Sequence, residues 1–276
     1  MRTFLTILVI LTVSLDSAEL TQLAYSRRLL AVTSQFLEKA ETKVMPAQPT
    51  GAKGTVLVAF WTSERGAVVS TRALDGPTDL QKVATEAIYR WKFKPTSVNG
   101  QPVQMGSAVL VDFSQTPPAI QVPKPMTAAQ LSPGFQPKCF DGVVHEEPAS
   151  VRVCQQQLDA VSRDPHSTPL DQFTAHDEYG LVLMKYGHEA AKTVEQFSKA
   201  IELAPERLNS TDAEWAYVYW HRATAEQQLG NATEGEKDFT VAEQSLRDAE
   251  KSSENEKIAA YYHELVNRLV AQRGTH

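Results

Sequence analysis

The chain has 276 residues, of which 42% are hydrophobic and 22% are charged. This composition is that of a globular protein and excludes a wholly disordered or collagen-like chain, while the length predicts two domains or one domain with an array of repeats. The 33 acidic and 27 basic residues give a formal net charge of −6, which disfavours a nucleic-acid-binding role.

The N-terminus has the pattern of an export signal. Arg2 precedes an uninterrupted apolar stretch over residues 4–15, and small residues follow it. This stretch is shorter than the roughly 20 residues that a helix needs to cross a bilayer, so it indicates a cleaved signal peptide over residues 1–18. Asp16 is unfavourable close to the cleavage site, and an uncleaved membrane anchor is therefore the alternative.

The chain contains two cysteines, Cys139 and Cys154. In an exported protein they could form a disulfide, and closing a loop of about 15 residues would contribute about 3 kcal/mol in the chain-entropy model. The alternatives are two separate thiols, or a zinc site with His145 that would have only three ligands at loose spacing. The spacing alone does not decide between a bridge and separate thiols.

The first predicted elements are a helical segment over residues 19–45 and a β-hairpin. Apolar residues recur at helical spacing until the breaker sequence MPAQPTGAKG. GTVLVAFWTS and AVVSTRAL then predict two strands, because both are rich in β-branched and aromatic residues and the ERG between them carries a glycine. Thr78 and Gln81 form a predicted capping box for a helix over residues 79–91, whose apolar stripe suits packing on a sheet.

The sequence WKFKPTSVNGQPV is predicted to end that helix. Pro95 cannot continue a helix, and Asn99-Gly100 indicates a tight turn. QPVQMGSAVLVDFS then predicts a third strand, which gives a small three-stranded antiparallel sheet with one packed helix. We expect Trp91, Phe93 and Pro95 to pack the helix end onto the sheet and set the turn rather than bind a ligand.

Three segments follow the N-terminal helical segment. The predicted sheet domain covers residues 46–115, a proline-rich linker with the cysteine loop covers 116–150, and a helical domain covers 151–276. Within the helical domain, Ser253 and Glu256 form a predicted capping box for the last helix. Residues 43–115 carry eight basic and five acidic side chains, whereas residues 166–276 carry eleven and nineteen. The two parts could therefore dock onto each other, or the acidic part could select a basic partner.

Residues 46–113 resemble the C-terminal domain of the TonB family. The resemblance is carried by the GTVLVAF strand, the glycine of ERGAVV, the helix ending AIYRW, and WKFKP followed by NGQPV and a strand ending VDF. It implies that the last strand lies at a sheet edge and binds an extended peptide by strand addition, as the family does with a segment of an outer-membrane transporter. The implied partner-binding residues are Pro102, Val103, Gln104, Met105 and Ser107. The alternative is that the linker, the second domain or a sister subunit covers this edge.

Residues 166–250 resemble tetratricopeptide repeats. One repeat lies around Tyr179-Gly180 and Phe197, and a second lies around Gly230 and Phe239. Phe197 and Phe239 are 42 residues apart, which exceeds the 34-residue period of the family and places an insertion at ERLNSTD. The resemblance implies an all-α array of helical hairpins with flanking capping helices, whose surface docks a second partner.

These features predict an α+β protein without a catalytic, cofactor or metal site. The sequence contains no H-E-x-x-H, G-x-S-x-G, P-loop or glycine-rich dinucleotide motif. We therefore expect a non-enzymatic adaptor that binds protein or peptide partners and neither nucleic acid nor a small-molecule substrate. The resemblance implies a Gram-negative bacterium, a periplasmic location, a role in transmembrane transport and an outer-membrane transporter as one candidate partner.

Two other functions are the alternatives. A TonB-type energy transducer for outer-membrane transport would require an uncleaved inner-membrane anchor and a long proline-rich span before the TonB-like domain, whereas here the proline-rich segment follows that domain. A structural self-association module would instead use the exposed strand to form a homodimer.

Overall fold

The computed structural model describes residues 28–30, 34–124, 126, 130, 139, 150–208 and 212–273. The predicted signal peptide over residues 1–18, His145 and most of the predicted linker lie outside these residues. The described residues form an N-terminal part made of sheets and helices and a helical C-terminal part, so the predicted α+β class is confirmed.

The N-terminal part contains a main sheet and a small two-stranded sheet. In the described residues the strands are β1 (Arg28–Leu30), β2 (Ala40–Thr42), β3 (Thr55–Thr62), β4 (Val68–Asp75), β5 (Lys92–Phe93), β6 (Thr96–Val98), β7 (Gln101–Asp112) and β8 (Ala119–Gln121). The main sheet has the order β1-β7-β3-β4, with β6 and β8 also paired to β7, while β2 pairs with β5. Every pairing in the main sheet is antiparallel except that of β1 with β7.

The predicted number of three strands is too low. The predicted strands correspond to β3, β4 and β7 and form the centre of the main sheet. β1 comes from the segment predicted to be helical over residues 19–45, where the helix that is found, α1 (Ser34–Glu38), has five residues. β8 comes from the predicted linker. Both segments pair with β7 because an open strand edge offers backbone donors and acceptors to any extended chain beside it.

Helix α2 (Thr78–Tyr89) covers one face of the main sheet. Its buried residues Leu80, Ala84 and Ile88 pack with the side chains of β3 that point to this face. The predicted capping box is wrong, because no side chain bonds the first turn of the helix. The Gln81 side chain instead donates to the carbonyl oxygen of Gly76 at 2.9 Å.

The chain leaves α2 through the predicted aromatic segment. Trp91 is fully buried, and its Nε1 donates to the carbonyl oxygen of Val44 at 2.9 Å. The ring of Phe93 stacks on that of Phe36 with 4.7 Å between the centroids. These contacts show the packing role that was predicted for Trp91 and Phe93, whereas Pro95 is exposed and only shapes the turn.

The C-terminal part is an array of helices in which each helix contacts the next along the chain. In the described residues these helices are α3 (Ser150–Arg163), α4 (Pro169–Val182), α5 (Ala190–Leu203), α6 (Ala213–Gln228), α7 (Ala232–Lys251) and α8 (Glu256–Arg273), with a π-helical turn over Leu183–Gly187 after α4. Gly180 lets α4 approach α5 closely, since a Cβ there would lie 2.7 Å from Cε1 of Phe197. The tetratricopeptide resemblance itself stays a prediction.

The caps of these helices differ from the predicted ones. Asn255, rather than Ser253, caps α8, because its Oδ1 accepts from the backbone N–H of Lys257 at 3.0 Å. A capping box that was not predicted, formed by Thr168 and Asp171, begins α4.

Cys139 and Cys154 form a disulfide in the structure. Both side chains are buried in an apolar cluster of the helical part that also contains Leu170 and Phe173. The bridge therefore ties the linker to α3 at the core of the helical array.

The helical part docks on the sheet face opposite α2. Trp61 and Val69 of the sheet lie in the same apolar cluster as the disulfide. On β4, Nε of Arg72 donates to the carbonyl oxygen of His166 at 2.9 Å. Nη2 of the same side chain lies 3.2 Å from Oδ2 of Asp164. The basic sheet domain and the acidic helical part are thus in contact, one of the two outcomes that their opposite charges allowed.

Candidate partner-binding strand

The strand predicted to bind a partner is β7, and a tight turn positions it. Asn99 and Gly100 have φ of 52° and 84°, and these two positive angles form the two-residue loop between β6 and β7. A loop of this kind requires left-handed backbone at both central residues, which Asn and Gly adopt most readily. The sequence Asn-Gly therefore fixes where β7 begins.

The side chains predicted to contact a partner are all buried. Val103 and Met105 point into the core beneath α2, and Ser107 has no exposed surface. Gln104 points the other way, and its Nε2 donates to the carboxylate of Glu214 at the start of α6. With Pro102 also buried, none of these side chains is available to a partner at the surface.

The backbone of β7 is paired on both flanks over these residues. On one flank, the N–H of Phe113 donates to the carbonyl oxygen of Gly54 at 2.8 Å. Because the register with β3 is continuous, every second residue of β7 that precedes Phe113 also forms its backbone hydrogen bonds with β3. The intervening residues, including Gln104 and Gly106, direct their backbone groups to the opposite flank. There β1 pairs with residues 104–106, and β8 pairs with residues 110–112.

The expectation that β7 is an open edge is therefore wrong, and the alternative that other segments of the chain cover it describes the structure. One position differs. Ala108 directs its N–H and C=O to the flank shared by β1 and β8, between the two short strands, and no described residue pairs with it on that flank. The cover is thus made of two three-residue strands with a gap between them.

Sequence reasoning missed the other edge of the sheet. β4 ends the order β1-β7-β3-β4, and among the described residues no strand pairs with it on its outer side beyond the bridge at Ala67. The sequence could have indicated this edge, because a three-stranded antiparallel sheet has two edge strands and only the edge at the last strand was considered.

Neither a metal centre nor a membrane helix is found in the described part of the chain. No group of three or more His, Cys, Asp or Glu side chains there is arranged to hold a metal ion. None of the helices described is both long enough and apolar enough to cross a bilayer.

A family model described as the C-terminal region of the Gram-negative bacterial TonB protein matches residues 45–114. The matched segment contains β3, β4, α2, β5, β6 and β7, whereas β1, β2, β8 and the helical part lie outside it. No significant match was found among curated proteins or among solved structures. The resemblance of this domain to the TonB C-terminal domain is confirmed, and it indicates a protein-interaction or transport-associated role.

Proposed function

We propose that the chain is an exported, non-enzymatic adaptor whose TonB-like domain binds an extended segment of a partner protein beside β7. The segment adds to residues 104–106 of β7 in the place that β1 occupies, and the helical part docks a second partner. The observation that carries this proposal is the pairing of β1 itself, a short extended segment from outside the TonB-like domain that is added to its last strand.

A short internal strand is a suitable competitor for a longer external one. β1 contributes three residues, and its register places Leu29 opposite Met105, so the backbone groups of Leu29 face those of Gln104 and Gly106. A partner segment that continued past Gly106 would also reach the backbone groups of Ala108, which β1 does not pair with. The partner would thus gain hydrogen bonds that β1 lacks, although β1 benefits from the millimolar effective concentration of a tethered segment.

The disulfide supports the exported location. Structural disulfides persist in oxidising compartments such as the periplasm and are rare in the cytosol. Cys139 and Cys154 are bridged within a buried cluster, as a structural role requires. This agrees with the predicted signal peptide and with a TonB-like domain working in the periplasm.

The second docking surface would lie on the outer side of the helical array. The side that faces the sheet already contacts Trp61 and Arg72 and is therefore occupied. Residues 166–276 have an excess of acidic side chains, which favours a partner with a basic surface.

The strand-exchange step can be tested with the chain's own β1 sequence as a probe. A fluorescein-labelled peptide of residues 26–33 is titrated with the full chain and with its Leu29→Pro variant. Proline removes a backbone donor from β1 and weakens the internal competitor, so we expect the variant to bind the peptide at least ~10-fold more tightly than the unchanged chain. Leu29→Ile keeps the donor and serves as the matched control.

Equal peptide binding by the Leu29→Pro variant and the unchanged chain would refute the exchange at β7. Sedimentation velocity of the same proteins separates the self-association alternative, since a dimer formed only by Leu29→Pro would mean that the uncovered strand pairs with a second copy. Recovery of proteins bound to the two variants from periplasmic extract, followed by mass spectrometry, would then identify the partner.

A further inference from the structure

The outer edge of β4 carries unpaired backbone groups. The residues of β3 that do not bond to β7 bond to β4, and the register places Ala59 opposite Arg72. Thr71 and Ala73 on either side of Arg72 therefore direct their N–H and C=O groups away from the sheet. No backbone partner for these groups exists among the residues that the structure describes.

A groove runs along this edge. Its volume is about 300 Å³, at the lower end of the range for ligand-binding pockets. We call it the β4 groove; its floor is residues 71–73 of β4, one wall is Gln81, Lys82 and Thr85 of α2, and the other wall is His166 and Thr168 before α4.

The second wall is held in place by contacts to the sheet. Arg72 donates to the carbonyl oxygen of His166, and Oγ of Ser70 lies 3.1 Å from Oγ1 of Thr168. The backbone N–H of His166 and the Arg72 guanidinium lower the pKa of Asp164 below its usual value, which keeps this carboxylate charged beside Arg72. The docking of the helical part on the sheet thus supplies the second wall of the groove.

We propose that the β4 groove binds an extended, acidic segment of a partner protein, which adds to β4 as a further strand of the main sheet. Thr71 and Ala73 offer two N–H and two C=O groups spaced for a strand, and a strand beside β4 would lie about 4.8 Å away between the two walls. The chain would then take up one extended segment at each end of its sheet.

The walls exclude a second copy of this chain as the occupant. Pairing two β4 strands edge to edge would bring α2 and the loop before α4 of one copy against the same elements of the other. It would also place Lys82 close to its counterpart, and like charges oppose such a pairing. A single extended segment with no walls of its own meets neither obstacle.

The charge of the lining favours acidic side chains in the segment. No carboxylate lines the β4 groove in the described residues. Arg72 on its floor is already paired with Asp164 and Asp171, so the lining cation that remains for a partner is Lys82 on the α2 wall. The Lys82 side chain is 83% exposed, and its Nζ lies 3.8 Å from the Glu86 carboxylate on the solvent side of α2. An exposed pair of this kind is weak, so the ammonium group is available to an acidic residue of the segment.

The test uses the full, disulfide-bonded chain and a random library of ten-residue peptides displayed on phage. Selected peptides are synthesised with a fluorescein label, and their affinities are measured by anisotropy for the unchanged chain, Ala73→Pro, Ala73→Ser, Lys82→Glu and Leu29→Pro. Sedimentation velocity of the same proteins gives their oligomeric state. Proline at position 73 removes an outward N–H and leaves the hydrogen bonds between β3 and β4 intact, while Ala73→Ser keeps that N–H.

We expect the selection to enrich acidic sequences. Ala73→Pro should weaken their binding at least ~10-fold, Ala73→Ser should leave it within about twofold, and Lys82→Glu should weaken it several-fold at low salt. The Lys82→Glu arm keeps the test valid if circular dichroism shows that Ala73→Pro is not folded.

Three results would overturn the proposal: no enrichment of peptides, binding that neither Ala73→Pro nor Lys82→Glu changes, or a dimer in sedimentation that Ala73→Pro abolishes. Peptides whose affinity rises in Leu29→Pro bind at β7 and do not count for the β4 groove. Since β7 and β4 lie at different positions in the sheet, either site can fail without the other.

Discussion

Reducing the disulfide between Cys139 and Cys154 should destabilise the chain measurably. The bridge closes a sequence separation of 15 residues. In the chain-entropy model, opening a loop of that length releases about 10 cal/mol/K in the unfolded state, which is about 3 kcal/mol at 25 °C. That is a large fraction of the 5–15 kcal/mol that holds a typical domain folded.

The assay is urea unfolding of the full chain with and without dithiothreitol, followed by tryptophan fluorescence. The signal combines four tryptophans, of which Trp61 lies in the same buried cluster as both cysteines. With a slope of about 1–3 kcal/mol per molar urea, a loss of about 3 kcal/mol moves the midpoint of that transition by about 1 M or more.

The double variant Cys139→Ala, Cys154→Ala is the control, because dithiothreitol should leave its unfolding curve unchanged. A difference of less than about 0.5 kcal/mol between the oxidised and reduced chain would show that the bridge does not restrict the unfolded state as reasoned here. A loss that also occurred in the double variant on adding dithiothreitol would point to an effect of the reagent.

Three further changes test the helical array by urea unfolding. Gly180→Ala places a Cβ 2.7 Å from Cε1 of Phe197 and should lower the free energy of unfolding by about 1–3 kcal/mol. The additional loss should be smaller when Gly180→Ala is made in a Phe197→Leu background, and a neutral result for Gly180→Ala would contradict the close approach of α4 and α5. Arg222 donates to both carboxylate oxygens of Asp238, at 2.7 and 2.8 Å, and its side chain is 22% exposed. Arg222→Leu should therefore lower the free energy of unfolding by about 1–3 kcal/mol and Arg222→Lys by less, and equal losses would show that the bidentate contact does not contribute to stability. Burial lowers the pKa of His176 below its usual value of 6.5, so at acidic pH the native state binds fewer protons than the unfolded state. The stability should therefore be retained above pH 6.5 and decline below it. The same decline in a His176→Gln variant would exclude this residue as the cause.

Local signals in the sequence predicted the centre of the N-terminal domain. β3, β4, α2 and the Asn99-Gly100 turn lie close to their predicted places, because turn chemistry and hydrophobic periodicity act within a few residues. These local signals did not identify the capping residues at the helix ends. Ser253 has a suitable side chain for a cap, yet Asn255 two residues later takes that role, since several polar residues in a row can serve equally well.

The candidate site was predicted only in part. The sequence located β7 and its alternation, but it could not show that residues 104–106 are covered by β1, which lies more than 70 residues earlier in the chain. A three-residue strand is too short to show a period of two, so neither β1 nor β8 has a recognisable sequence pattern. The docking of the helical part was likewise only one of two outcomes that the opposite charges allowed.

By itself, the sequence determined the elements of the TonB-like domain, the helical character of the second half and the start of β7, since each depends on neighbouring residues. Only the tertiary structure decided that β7 is covered, that the helical part lies against Trp61 and Arg72, and that an open groove remains beside β4. The physical reason is that backbone groups at a sheet edge pair with whichever extended segment the folded chain brings near, and residue type hardly constrains that choice.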